Sequence, residues 1–216
     1  MKKRVLFYLV LTTVLSSVSY AQKAKVSSAN KNYGNYAYVD AIQTYERLAN
    51  KGYQSAEMFE KLGNAYYFNA DFEKASQWYG QLYEMATELA PEYYYRYAQS
   101  LKAVGKTKEA AQVLSKFEAK ASNDSRAKRL QNNTDYSEDI KANVGMYTIA
   151  NAGINSKYSD YGSAVVDNKL VFASARDTGG VGQRKHAWTG EHFTNLYAAA
   201  VDGELVPTLA QRYDVL

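Results

Sequence analysis

The sequence predicts an all-α array of helical hairpins followed by an incomplete antiparallel β-sheet, on three observations. Apolar residues recur on one stripe of successive helix-length segments between about 28 and 132, and the pattern returns at an interval of 34 to 35 residues. From Val144 onward that period is lost, and short extended runs separated by Gly, Asn and Asp replace it. The 216 residues, 46% of them hydrophobic and only two of them proline, suffice for one or two globular domains. With no cysteine, a disulfide scaffold, a thiolate metal site and a thiol nucleophile are all excluded.

Residues 1–21, MKKRVLFYLVLTTVLSSVSYA, combine a cationic start, an apolar run from Val5 to Leu15 and small residues at Ser19 and Ala21. This is the pattern of a signal peptide cleaved before Gln22, which places the mature chain outside the cytoplasm. The apolar run is shorter than the roughly 20 residues of a spanning helix, so no transmembrane helix is expected after cleavage. Removing Lys2, Lys3 and Arg4 leaves 23 basic against 22 acidic side chains, and the formal charge of +4 nearly disappears. No basic run remains to neutralise a phosphate backbone, and nucleic acid is not an expected partner.

The hairpin pattern is clearest over 56–89. Leu62, Gly63 and Tyr66 lie on one stripe, a break falls near Asn69 to Asp71, and Ala75, Tyr79 and Leu82 lie on the next. Gly63 and Ala75 are small where the two helices are expected to cross. Ala98, Leu101, Ala110, Leu114 and Phe117 repeat the positions of Gly63, Tyr66, Ala75, Tyr79 and Leu82 with a shift of 35. Upstream, Tyr38, Ala41, Tyr45 and Leu48 match Phe72, Ala75, Tyr79 and Leu82 with a shift of 34, after a short polar helix at about 25–34. Tyr93, Tyr94, Tyr95 and Tyr97 share one helix and are expected to divide between packing and ligand contact. The segment 124–130, DSRAKRL, reads as a short capping helix with Arg126, Lys128 and Arg129 on its solvated face.

These spacings resemble the tetratricopeptide repeat, a 34-residue helical hairpin. The resemblance implies a stack whose first helices line a concave face able to hold a peptide or another domain. In that register the face includes Glu57, Glu60, Asn64, Tyr67 and Phe68, then Glu92, Tyr95, Gln99 and Lys102. Only one of them is a cation, and Asn64 alone resembles a position of the family's carboxylate clamps, so such a clamp is not expected.

In the second half, Tyr161 to Val166 reads as a strand, Asp167-Asn168 as a tight turn and Lys169 to Ser174 as its partner. Asn195 to Val201 follows as a third strand, turning at Asp202-Gly203, and no finishing strand is evident in PTLAQRYDVL. Asp160, Gly162, Asp167, Phe172, Ser174, Arg176, Leu196, Tyr197, Asp202 and Gly203 resemble the positions of one WD40-like propeller blade, interrupted by an insertion over 178–194. A propeller closes with at least four blades, so the blade is incomplete and the chain is expected to be a fragment.

Signal peptide, repeats and blade in this order are similar to envelope proteins of Bacteroidota that continue to a domain resembling outer membrane protein A. The implied organisation is a leader over 1–21, a tetratricopeptide-repeat domain over 22–135 and a partial propeller over 136–216. The implied role is a noncatalytic, periplasmic, outer-membrane-associated scaffold, with an envelope protein or peptide and the missing downstream propeller as partners. The alternatives are a purely structural brace for downstream domains and a fragment of a hydrolase whose catalytic residues lie beyond 216.

Chemistry is hard to find in the residues themselves. His186, Glu191 and His192 sit in the insertion at a spacing that is neither HExxH nor a hairpin pair, and no metal is expected there. The glycines of DTGGVGQRK lack the GK[ST] ending of a phosphate loop, and there is no GxSxG elbow. Asp160, Asp167 and Asp177 sit where turns favour an Asx side chain. No cofactor and no enzymatic activity are expected.

Overall fold

The computed structural model describes residues 22–132, 141–146, 148–177, 179, 182–202, 206–207 and 211–212. The expected leader, 1–21, lies outside them. Two compact units divide between Asp135 and Tyr136.

The first unit is a stack of helical hairpins. Helix α1 covers 22–34, and α2 (Tyr38–Ala49), α3 (Ala56–Phe68), α4 (Phe72–Met85), α5 (Pro91–Ala103), α6 (Thr107–Lys120) and α7 (Ser125–Asn132) follow. Local chemistry starts several of them. Ser55 Oγ accepts from the N–H of Met58 and Asp71 Oδ1 from that of Lys74, satisfying first-turn donors that have no partner in the helix, while Pro91 opens α5 where no donor is needed. The apolar stripes then bury what the repeat pattern predicts, Tyr38, Ala41, Tyr45 and Leu48 on α2 and Ala110, Leu114 and Phe117 on α6, with Val113 buried beside them.

Gly63 shows why the hairpin closes. A Cβ at this position would stand 2.4 Å from two ring carbons of Tyr79, so only hydrogen lets α3 approach α4 this closely. Trp78 of α4 also meets α3, stacked on Phe59 with ring centres 5.7 Å apart. Each first helix ends on a left-handed residue, Tyr36 at φ +58, Ala70 at +57 and Gly105 at +79, from which the chain enters the second helix.

The second unit is an antiparallel sheet in the order β1 (Asp160–Val166), β2 (Lys169–Ser174), β3 (Asn195–Asp202). Asp167 and Asn168 make the predicted two-residue turn, both at positive φ, and Asn168 Nδ2 also donates to the carbonyl of Val201. The β1–β2 register slips between Tyr161 and Ala164, where Gly162 at φ +66 provides a bulge. One face buries Phe172, Ser174, Tyr197, Ala199 and Val201. Arg176 lies over the Phe172 and Tyr197 rings at 5.2 and 4.7 Å, and its guanidinium donates to Ser174, Asp160 and the carbonyl of Ile154.

Burial alone would raise Asp160, but hydrogen bonds from Ser174, the Ser156 N–H and Arg176 overcome it and bring the carboxyl down to about 2. Two features differ from the sequence expectation. Asp160 anchors an arginine as well as a turn, and the C-terminal residues do contribute to the sheet: β4 (Val206–Pro207) and β5 (Gln211–Arg212) both pair with β3. Each is two residues long, too short to leave a readable alternation.

Candidate functional site

Side-chain bonds between the first helices of successive hairpins set them side by side and define the inner face of the array. Asn30 Nδ2 on α1 donates to Glu57 on α3 at 3.1 Å, Arg96 Nη1 on α5 donates to Asn64 on α3 at 2.6 Å, and Arg126 Nη2 on α7 donates to Glu92 on α5 at 2.8 Å. The polar groups themselves recur with the repeat. Tyr45 donates to Asn30 as Tyr79 donates to Asn64, and Lys61 pairs with Glu57 as Arg96 pairs with Glu92. Lys61 stands over the ring of Tyr33, and Arg96 over those of Tyr67 and Phe68.

The nine residues read from the sequence do not share one environment. Asn64 is only 5% exposed, and its carbonyl oxygen already accepts from Tyr79 and Arg96, so it positions neighbouring side chains. Glu57 is exposed and bound to Lys61 and Asn30. Glu60, Gln99 and Lys102 are half-buried. Tyr67 is half-buried, edge-on to Phe68, which is 39% exposed. Tyr95 packs on Phe117 at 5.2 Å beneath the guanidinium of Arg126. Of the other tyrosines on α5, Tyr94 is buried in the core and Tyr97 packs against Tyr83.

Besides Lys61, two cations were missed. Arg96 stands beside the inner-face positions of α5, and Arg126 turns inward instead of lying on a solvated helix face: it binds Glu92, and Asp124 at 2.9 Å. Burial pushes the Glu92 carboxyl up, but its bonds from Arg126 and Arg96 outweigh this and hold it below the ordinary value. Asp124 is brought down to about 2 by the side chain and N–H of Arg126. The (i, i+4) spacing of Glu92 and Arg96 was a usable signal for the first cation. The second has a local partner in Asp124, two residues away, but nothing local marks its bond to Glu92, which lies 34 residues away. The face therefore carries more cations than its sequence positions suggest, and Lys61, Arg96 and Arg126 are each engaged by a carboxylate.

In the second unit, His186, Glu191, His192, Phe193, Ser159 and Tyr161 line a cleft of about 400 Å³. The ring of His192 is 3.8 Å from Asp177, His186 lies edge-on to Phe193, and the His186 N–H donates to the Glu191 carbonyl. Among the described residues, no group of three His, Asp or Glu side chains is placed to hold a metal ion, and no helix is long and apolar enough to cross a membrane.

No family model and no curated protein matches the chain. Among solved structures, it is similar to the C-terminal part of a TPR repeat-containing protein from Cytophaga hutchinsonii, at 19% identity and a TM-score of 0.41, over 45% of this chain. The match spans 39% of that structure.

Proposed function

We propose that the protein is a noncatalytic, exported interaction scaffold whose helical array holds a partner protein or peptide along its inner face. One observation carries this reading: the first helices are tied side by side by repeating hydrogen bonds, which hold their inner-face side chains in fixed register. A prearranged face of this kind limits the side-chain ordering that binding requires. The signal-peptide pattern of 1–21 supports export, and the resemblance of the order of leader, repeats and blade to Bacteroidota envelope proteins supports a periplasmic, outer-membrane-associated setting.

The test is affinity capture from envelope extracts with the wild-type chain and with Tyr67→Ala and Phe68→Ala. Asn64 is unsuitable because its loss would strand Tyr79 and Arg96. Selective loss of a captured protein is expected, and unchanged recovery of every partner overturns the proposal. A bracing role is a second reading, favoured by the sheet: Tyr161, Val165 and Val166 leave apolar surface of β1 exposed, with room for further strands to pack. Under it, the same substitutions lower thermal stability of a longer protein without selective loss of a partner.

A further inference from the structure

The sheet packs one of its faces and leaves the other open. Side chains directly opposite each other on neighbouring strands point to the same side, so the strand register sorts them. Phe172, Ser174, Tyr197 and Ala199 share the buried side. The opposite side is built in three rows across β1, β2 and β3. Tyr161, Ala173 and Leu196 form the first row, with Tyr161 56% and Leu196 41% exposed. Ala164, Val171 and Ala198 form the second, and Val166, Lys169 and Ala200 the third. The bulge at Gly162 completes this side, because its one extra residue turns Tyr161 toward the same side as Ala164. Every residue of the three rows is exposed or half-buried, and Lys169 is the one charge among them. A continuous apolar face of this kind marks a contact surface.

The two ends of the face differ in height. Beyond the first row, Ser159, Ala175 and Thr194 continue the same side, and all three line the cleft with His186 and Phe193. Ala175 is 2% exposed there, so the 185–194 segment covers that end and stands as a step beside Tyr161. The third row has no such cover: Val166, Lys169 and Ala200 are exposed up to the Asp167-Asn168 turn.

This shape is complementary to itself. A two-fold axis lying between two facing sheets, across the strands at Val171, inverts the order of the rows. Tyr161 and Leu196 then lie over the smaller Val166 and Ala200 of a second copy, and the step of each copy passes beyond the turn of the other. The same operation separates the charges. Each Lys169 lies over the small Ala173 of the second copy, where its ammonium reaches the neighbouring Tyr161 ring. An axis along the strands does the reverse, setting step on step and Lys169 on Lys169.

We propose that this open face joins two copies of the chain as a two-fold dimer of facing sheets. The proposal concerns the second unit and does not depend on the inner face of the helical array. The test is sedimentation equilibrium of the chain from Gln22. A patch of three short rows corresponds to a weak dimer, so the mass is expected to rise from monomer toward dimer between about 1 and 100 µM.

The axis brings Ala164 over Ala164 of the second copy. Ala164→Glu and Ala164→Lys should each weaken association at least tenfold through like-charge opposition, and an equimolar mixture of the two should recover it. Both substitutions fall at an exposed position, so circular dichroism is expected to match the wild type. A monomer at every concentration overturns the proposal and leaves the face to a different partner. A dimer indifferent to Ala164→Glu, or two folded variants that fail to recover association on mixing, overturns it as well.

Discussion

Ala70 holds φ +57 at the point where the array turns from α3 into α4, and its Cβ makes that backbone less favourable than it is for Gly105. Ala70→Gly should therefore raise stability by about 0.5–1 kcal/mol, read from urea unfolding of the helical signal. Gly63→Ala should act in the opposite direction. Its added carbon meets the Tyr79 ring at 2.4 Å, and separating the helices to admit it should cost about 1–3 kcal/mol. Asp160 sets a pH dependence for the sheet. Its folded pKa, about 2, lies below its ordinary 3.8, so its stabilisation is complete above about pH 4 and is lost as pH falls through the folded value. Acid titration followed by near-ultraviolet dichroism should show the sheet of Asp160→Asn less sensitive than wild type between those limits, though weaker at neutral pH.

At the scale of elements, α7 is a short helix that buries Ala127 in the core and is tied to its neighbours by Arg126. Arg126 joins it to α5 through Glu92, caps its start with Asp124 and covers the rings of Tyr95 and Phe117. Arg126→Ala should expose α7 amides to faster hydrogen exchange and leave α3 and α4 protected; Arg126→Lys should rescue only in part, because an ammonium cannot span two carboxylates as the planar guanidinium does. The helices and their buried stripes were legible in the sequence, because Ala41, Tyr45, Ala75 and Tyr79 record a local period that packing simply uses. The Asp167-Asn168 turn was legible for the same reason, since residues tolerant of positive φ stand between two alternating runs. The ties between helices were not. Arg96 and Asn64 are 32 residues apart, and no local pattern says that an arginine one turn from a glutamate will also reach the preceding hairpin. Tyr36 was hidden in another way, because tyrosine is a poor indicator of left-handed backbone. Of the nine inner-face positions the repeat register marked, Asn64 proved buried and internally bonded, which no register reveals.

For the whole molecule, the two compact units predict independent behaviour under attack. Limited proteolysis of the chain from Gln22 should release a resistant helical core ending near residue 135, and protection extending through Leu216 would show instead that the units resist as one. The chain also contains only two tryptophans, and they fall one to each unit: Trp78 against Phe59 in the helical array, and Trp188 within the 185–192 turn of the sheet. Each unit thus has its own optical reporter. With Trp188→Phe the remaining emission follows the array alone, and with Trp78→Phe it follows the sheet, so the order in which the two halves melt can be read from fluorescence without cutting the chain.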